Sequence, residues 1–268
     1  MKRFITNKFT LFSLGVIFVI ALWILCSVFF DKNGAIFPNP IATIERFGDI
    51  LSEQQTYISL GYTFMRMVIG FLVSFLLALI VGMIAGNHEE TYQFLKPLMV
   101  VLKSVPTVAF VFVFIVMSNA REAPIYVVFV ICFPILYEAV VGGFKSIDKD
   151  VLDAAKVDGA SYLKSAAFIK FPLAVPYIIV GIVSSFALSF KIEIMAEVIT
   201  GSTKNGLGSS INYAYSQAEM PNVFAYSLLV IIFMLLVSLL EEVIRQIMKK
   251  KGLIAVNNNW LILLFLIN

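Results

Sequence analysis

FPLAVPYIIVGIVSSFALSFKIEIMAEVITG, residues 171–201, decides what kind of chain this is. Apart from Lys191, Glu193 and Glu197 the stretch carries no charge. About 20 apolar residues, rising 1.5 Å each, cross a hydrocarbon layer of roughly 30 Å as a helix. A helix is the form that satisfies its own backbone hydrogen bonds in lipid. Outward from this stretch, five more runs read the same way: Phe9–Phe30, Ile58–Ala85, Pro97–Ser118, Pro124–Gly143 and Val223–Leu240, with Pro172–Ile194 as the fifth span in chain order. The fold class is therefore all-α, a polytopic membrane protein with about six transmembrane helices. Composition agrees: 60% of the 268 residues are hydrophobic and 14% charged, against roughly 45–50% and about 25% in soluble domains. Mean hydropathy is +0.94. Six spans leave no room for a large soluble domain.

The net charge of +3 says little until its placement is read. With the N-terminus inside, Lys145, Lys149, Lys156, Lys164, Lys170, Arg245, Lys249, Lys250 and Lys251 all fall on the inner side. Lys32, Arg46, Arg121 and Lys204 fall outside. This bias follows the positive-inside rule. It places both termini and the 144–171 loop in the cytoplasm, and it explains the lysines by topology rather than by nucleic-acid binding. The first apolar run is longer than a signal-peptide core and lacks a small-residue cleavage site, so it reads as an uncleaved anchor. Cys26 and Cys132 sit in separate spans and suggest neither a disulfide nor a zinc site. His88 is the only histidine, so a paired-histidine metal motif is excluded.

Ionisable residues inside spans are functional candidates by default. Arg66, about two turns into the second span, reads either as a pairing or snorkelling residue or as part of a solute path. Glu193 and Glu197 share a helical face, whereas Lys191 and Glu193 do not, because neighbours on a helix stand three or four residues apart. Ser189, Lys191, Glu193 and Glu197 are candidates for the border of a translocation path. Interface anchoring with pairing across a dimer is the other reading.

The loop before the fifth span reads VLDAAKVDGASYLKSAAFIKFPLAVP, residues 151–176. Asp148 can cap a helix over Lys149–Leu152 and beyond. Ala154 and Ala155 make a small, closely approachable surface, and Asp153 adds a polar registration point. Gly159 permits the left-handed conformation that ends a helix. Ser161 can cap a second helix through Phe168, and Pro172 opens the next span where its missing donor costs nothing. The pattern Asp153-Ala154-Ala155-x3-Gly159-x9-Ile169-x2-Pro172, with Ala160 and Ser161 after the glycine, resembles the E-A-A coupling segment of permease subunits of type I ABC importers. Asp153 replaces the glutamate of that pattern and Phe171 its leucine. Ser59-Leu60, Arg66 and Gly70-Phe71, and Glu197 in Ala-Glu-Val-Ile-Thr-Gly, are similar to the nitrate/sulfonate/taurine branch. An ordinary cytoplasmic helical hairpin is the plain reading of the same loop.

The resemblance covers roughly residues 36–248. It implies an importer permease fold with an anchor and outer amphipathic segment (1–57), a transport core (58–248) holding the coupling loop 144–171, and a tail (249–268). Within the outer segment, Ile41, Ile44, Phe47 and Leu51 recur at helical spacing after Pro38 and Pro40. The resemblance further implies two copies of a separate ABC ATPase, a second copy of the permease, and an extracytoplasmic solute-binding protein. The solute would be a sulfonate-, nitrate- or taurine-like anion or a vitamin precursor, and the site the cytoplasmic (inner) membrane. The chain itself lacks a P-loop: the nearest match, Gly201-x4-Gly206, continues Leu207-Gly208. No cofactor is expected on this chain, and ATP and Mg are expected on the partner ATPase. A secondary transporter driven by an ion gradient is the alternative class.

Overall fold

The computed structural model describes residues 8–30, 37–158, 162–201 and 205–250. Described residues are helical or in short turns, with no strand among them. Helix α1 is Lys8–Phe30 and α2 is Pro40–Ser52. The Oδ1 of Asn39 accepts from the Ile41 amide at 2.9 Å and Pro40 occupies the first turn, so α2 starts where both capping rules place it. Then follow α3 Gln54–Asn87, α4 Glu89–Ser104, α5 Thr107–Met117 and α6 Ala123–Lys145. The loop holds α7 Lys149–Val157 and α8 Tyr162–Ser165, which runs through a π-helical turn at Ala166–Lys170 into α9, Phe171–Thr200. Last come α10 Leu207–Ser216 and α11 Met220–Lys250.

Four of these helices, α3, α6, α9 and α11, are long and apolar enough to cross a membrane. They match the second, fourth, fifth and sixth expected spans. The expected third span, Pro97–Ser118, is not one straight helix. It breaks between α4 and α5 with a bend of 97°, and counts as a fifth crossing only if that bent pair is taken together. The cause is Pro106, which has no amide to donate and drives the preceding residue out of the helical region. Val105 is accordingly extended, at φ −74° and ψ 128°. The first expected span forms α1, whose apolar stretch Ser13–Phe29 is shorter than the four.

Helix α2 carries the periodic apolar residues Ile41, Ile44, Phe47 and Leu51. Ile41 and Ile44 are 66% and 61% exposed, while Thr43 and Ile50 are fully buried. The buried side is set by α11, which packs along α2. There Arg46 donates to the Asn222 side chain.

At the centre stands α6, with α3 along one side and α9 along the other. Val127, Val128, Cys132, Leu136 and Tyr137 of α6 are buried against Phe71, Ala78 and Ala85 of α3 and Ile192 and Ala196 of α9. Between membrane helices the drive is close packing rather than burial from water, so small residues sit where backbones approach. At Gly181 of α9 a Cβ would overlap that of Ala139 on α6. Gly142 has no heavy atom within 4 Å of the corresponding position. Gly181→Val is expected to lower stability by about 1–3 kcal/mol, read from the unfolding midpoint of the detergent-purified chain. Gly142→Ala is expected to leave the midpoint unchanged; equal effects would contradict this packing.

Candidate functional site

At the end of the bundle where α9 finishes and α10 begins, four elements close around one guanidinium. Arg66 of α3 is 7% exposed. Its Nε donates to Glu193 Oε1 at 3.2 Å, and its Nη2 donates to Glu197 Oε1 and to the backbone oxygen of Asn205, the latter at 2.7 Å. Glu193 and Glu197 lie one turn apart on α9, and both are fully buried. Thr63, one turn before Arg66, sets its hydroxyl 2.9 and 3.0 Å from the two Glu197 oxygens. That hydroxyl in turn accepts from the Leu207 amide at 2.9 Å, and the Gly208 amide donates to Glu197 Oε2 at 2.9 Å. The N-terminus of α10, where amides lack intrahelical partners, is thus spent on one carboxylate.

Two glycines make this closure possible. A Cβ at Gly206 would stand 2.6 Å from Arg66 Nη2 and 2.7 Å from Glu197 Oε1. One at Gly208 would overlap the Ile194 carbonyl. The arrangement is electrostatically lopsided, with two carboxylates against one guanidinium. Glu197 is held by Arg66, Thr63 and Gly208, whereas Glu193 Oε2 has no hydrogen-bond partner among the described residues. The other edge of Arg66 borders a cleft of about 330 Å³ shared with Tyr62, Arg121, Glu122 and Asn205.

Of the residues singled out in the sequence, the fold brings Arg66, Glu193 and Glu197 together, within one chain. Ser189 is fully buried but separate: its hydroxyl donates to the Phe186 carbonyl at 2.7 Å and lies against Met67 Sδ. Lys191 is exposed on the opposite side of α9. Sequence reasoning missed Thr63, Asn205, Leu207 and Gly208. The signal for Thr63 was present, since Ser59, Thr63, Arg66 and Gly70 recur at helical spacing and all are buried. Backbone donors such as Leu207 and Gly208 leave no trace in residue type.

At the opposite end, the loop forms its expected first helix. Asp148 Oδ1 accepts from the Asp150 amide at 3.1 Å, and α7 runs from Lys149 to Val157. Asp153 and Ala154 face outward, but Ala155 is only 7% exposed, so the two alanines do not form one open surface. Gly159, Ala160 and Ser161 lie outside the described residues, as does the chain from residue 251. The loop returns to the bundle at Lys170, whose Nζ donates to Asn87 Oδ1 at 2.7 Å at the end of α3. Beside it Lys145 pairs with Glu89 at 2.7 Å and sits 3.3 Å from the Tyr92 ring centre. Among the described residues no group of three or more His, Cys, Asp or Glu side chains could hold a metal ion.

Comparison with known proteins fits this architecture. Residues 76–251 match the family of binding-protein-dependent transport system inner membrane components. The chain belongs to that family. Relatives include a putative aliphatic sulfonates transport permease protein, SsuC, of Bacillus subtilis, 24% identical over 87% of this chain and 83% of its own length. The nitrate import permease protein NrtB of Leptolyngbya laminosa is 26% identical over 83% and 80%. A probable ABC transporter permease protein of Brucella melitensis is 26% identical over 72% and 78%. Among solved structures, a chain of the MetNI methionine ABC transporter in an inward-facing conformation shares the fold. Its TM-score is 0.56 at 17% identity, over 70% of this chain and 91% of that one. The chain is therefore an ABC importer permease subunit, a multi-pass inner-membrane component with the type I importer permease fold.

Removing one partner of a buried ion pair strands the other, at a cost of about 3–5 kcal/mol. Glu197→Gln is expected to approach that loss, because three donors converge on this carboxylate. Glu193→Gln removes the surplus charge and is expected to cost under about 1 kcal/mol, within the range of mild substitutions. The order is read from unfolding midpoints of the full chain in detergent; a larger loss at Glu193 contradicts this assignment.

Proposed function

We propose that this permease subunit moves a small oxyanion, of the nitrate or alkanesulfonate kind, inward across the membrane at the expense of ATP hydrolysed by a separate partner. The match of residues 76–251 to a binding-protein-dependent transport family carries the reading. The names of the sulfonate and nitrate relatives support the solute class. In this reading an extracytoplasmic binding protein delivers the solute, two permease copies enclose the path, and two ATPase subunits holding ATP and Mg drive them. Both termini and the 144–171 loop lie in the cytoplasm, and residues 58–248 form the transport core.

The lever is α7. Asp153 and Ala154 face outward on a helix whose Val151 and Val157 are 44% and 87% exposed. An apolar, small-residue face of this kind suits a protein partner. The loop continues through α8 and the π-helical turn into α9 without a described break after Tyr162. A push on the loop therefore acts on a rigid element that reaches the ion cluster at its far end. Binding of ATP, by favouring the closed ATPase pair, would shift the two-state equilibrium of the permease through this contact. Arg66, Glu193 and Glu197 satisfy one another inside one chain, which supports a holding role: they pin α3, α9 and α10 together where the lever ends.

The test is uptake of labelled nitrate and ethanesulfonate by vesicles carrying the chain with its ATPase and binding protein. Trapped ATP is expected to drive uptake, and an imposed proton gradient without ATP is not. Ala154→Trp is expected to lower uptake at least tenfold while the unfolding midpoint stays within the range of surface substitutions. Uptake driven by the proton gradient alone contradicts the reading.

A further inference from the structure

The ion cluster accounts for every buried charge of α9 and leaves Lys191 aside. From Ile178 to Thr200 Lys191 is the single exposed residue; all others are buried or half-buried. The half-buried residues on its side, Ser184, Leu188 and Met195, stand seven and three positions before it and four after, forming one stripe. No hydrogen-bond or ion-pair partner is found for Lys191 among the described residues. The nearest carboxylates along the chain, Glu193 and Glu197, face the other way and are committed to Arg66.

A charged lysine needs water, an anion or a headgroup. Snorkelling to a headgroup is disfavoured by direction. A thirty-residue helix such as α9 is about 45 Å long against roughly 30 Å of hydrocarbon. Centred, it sets Lys191 on the order of 6 Å inside the boundary nearer its C-terminal end. Every Cα–Cβ bond in a helix tilts towards the N-terminus, so this side chain sets out towards the middle of the membrane and away from that boundary. The same stripe carries a second polar station two turns earlier. Arg245 of α11 donates to Ser184 Oγ at 2.7 Å and pairs with Glu241 at 2.5 Å. The stripe is thus polar at two levels, covered by α11 at Ser184 and exposed at Lys191.

We infer that Lys191 is the residue that recognises the transported oxyanion, setting charge selectivity at the one exposed position on this part of α9. This rests on the reading of the chain as an oxyanion importer subunit. The shared chemistry, an ammonium against an oxyanion, could equally be met by a lipid phosphate, and the experiment separates the two.

In the complete transporter, Lys191→Gln is expected to lower ATP-driven uptake of nitrate and ethanesulfonate at least tenfold, Lys191→Arg no more than threefold, and neither to change basal ATP hydrolysis. Wild-type uptake should be the same in phosphatidylcholine vesicles with and without phosphatidylglycerol. A second arm needs no partner: Lys191→Cys in a Cys26→Ser, Cys132→Ala background is treated with a membrane-impermeant thiosulfonate reagent. Labelling is expected, because the path is open to water at this position. Unchanged uptake by Lys191→Gln, absence of labelling, or a phosphatidylglycerol dependence that Lys191→Gln removes would each overturn the inference. Should the wild-type transporter take up neither probe, the solute reading fails, and the labelling arm alone decides the place of Lys191.

Discussion

A guanidinium withdrawn from water inside an apolar bundle constrains everything around it. Arg66 cannot be left with unsatisfied donors there, and no exposed ion pair could repay its desolvation. The chain answers with two carboxylates one turn apart on α9, a carbonyl at Asn205 and a threonine hydroxyl that locks the second carboxylate. The carboxylates come from α9 and the carbonyl from the segment before α10, so satisfying Arg66 fixes α3 against α9 and draws the start of α10 over both. The glycines at 206 and 208 follow from the same demand, since any side chain there would occupy the space the cluster needs.

The far end of the molecule obeys looser rules. The helical loop is held by surface contacts, Lys170 to Asn87 and Lys145 to Glu89, and it leaves apolar side chains such as Val157 and Phe168 exposed. Between the two ends, Lys191 is the one exposed residue of α9 from Ile178 to Thr200.

Much of this was legible in the residues. Runs of twenty apolar residues have one stable form in lipid, so α3, α6, α9 and α11 could be located, although α9 and α11 run six and ten residues past their expected ends, and the Asp-Ala-Ala spacing located the loop helix α7. Two features were less accessible. The break at Val105–Pro106 was announced by the proline, but the size of a bend depends on what packs on either side. The partners of Arg66 were half visible: Glu193 and Glu197 share a face by spacing alone, yet whether they pair within a chain or across copies is a matter of tertiary packing. The backbone amides of Leu207 and Gly208 complete the cluster with atoms that every residue possesses.

The interdependence of the cluster is measured most directly by a double-mutant cycle between Arg66 and Glu197, with Arg66→Met, Glu197→Gln and the pair compared by reversible unfolding of the full chain in detergent. The single changes are expected to cost far more together than the double, with a coupling of about 2–3 kcal/mol, near the top of the range for contacting residues. Additivity to within about 0.5 kcal/mol, the behaviour of independent sites, would contradict the claim that this ion cluster holds the bundle closed.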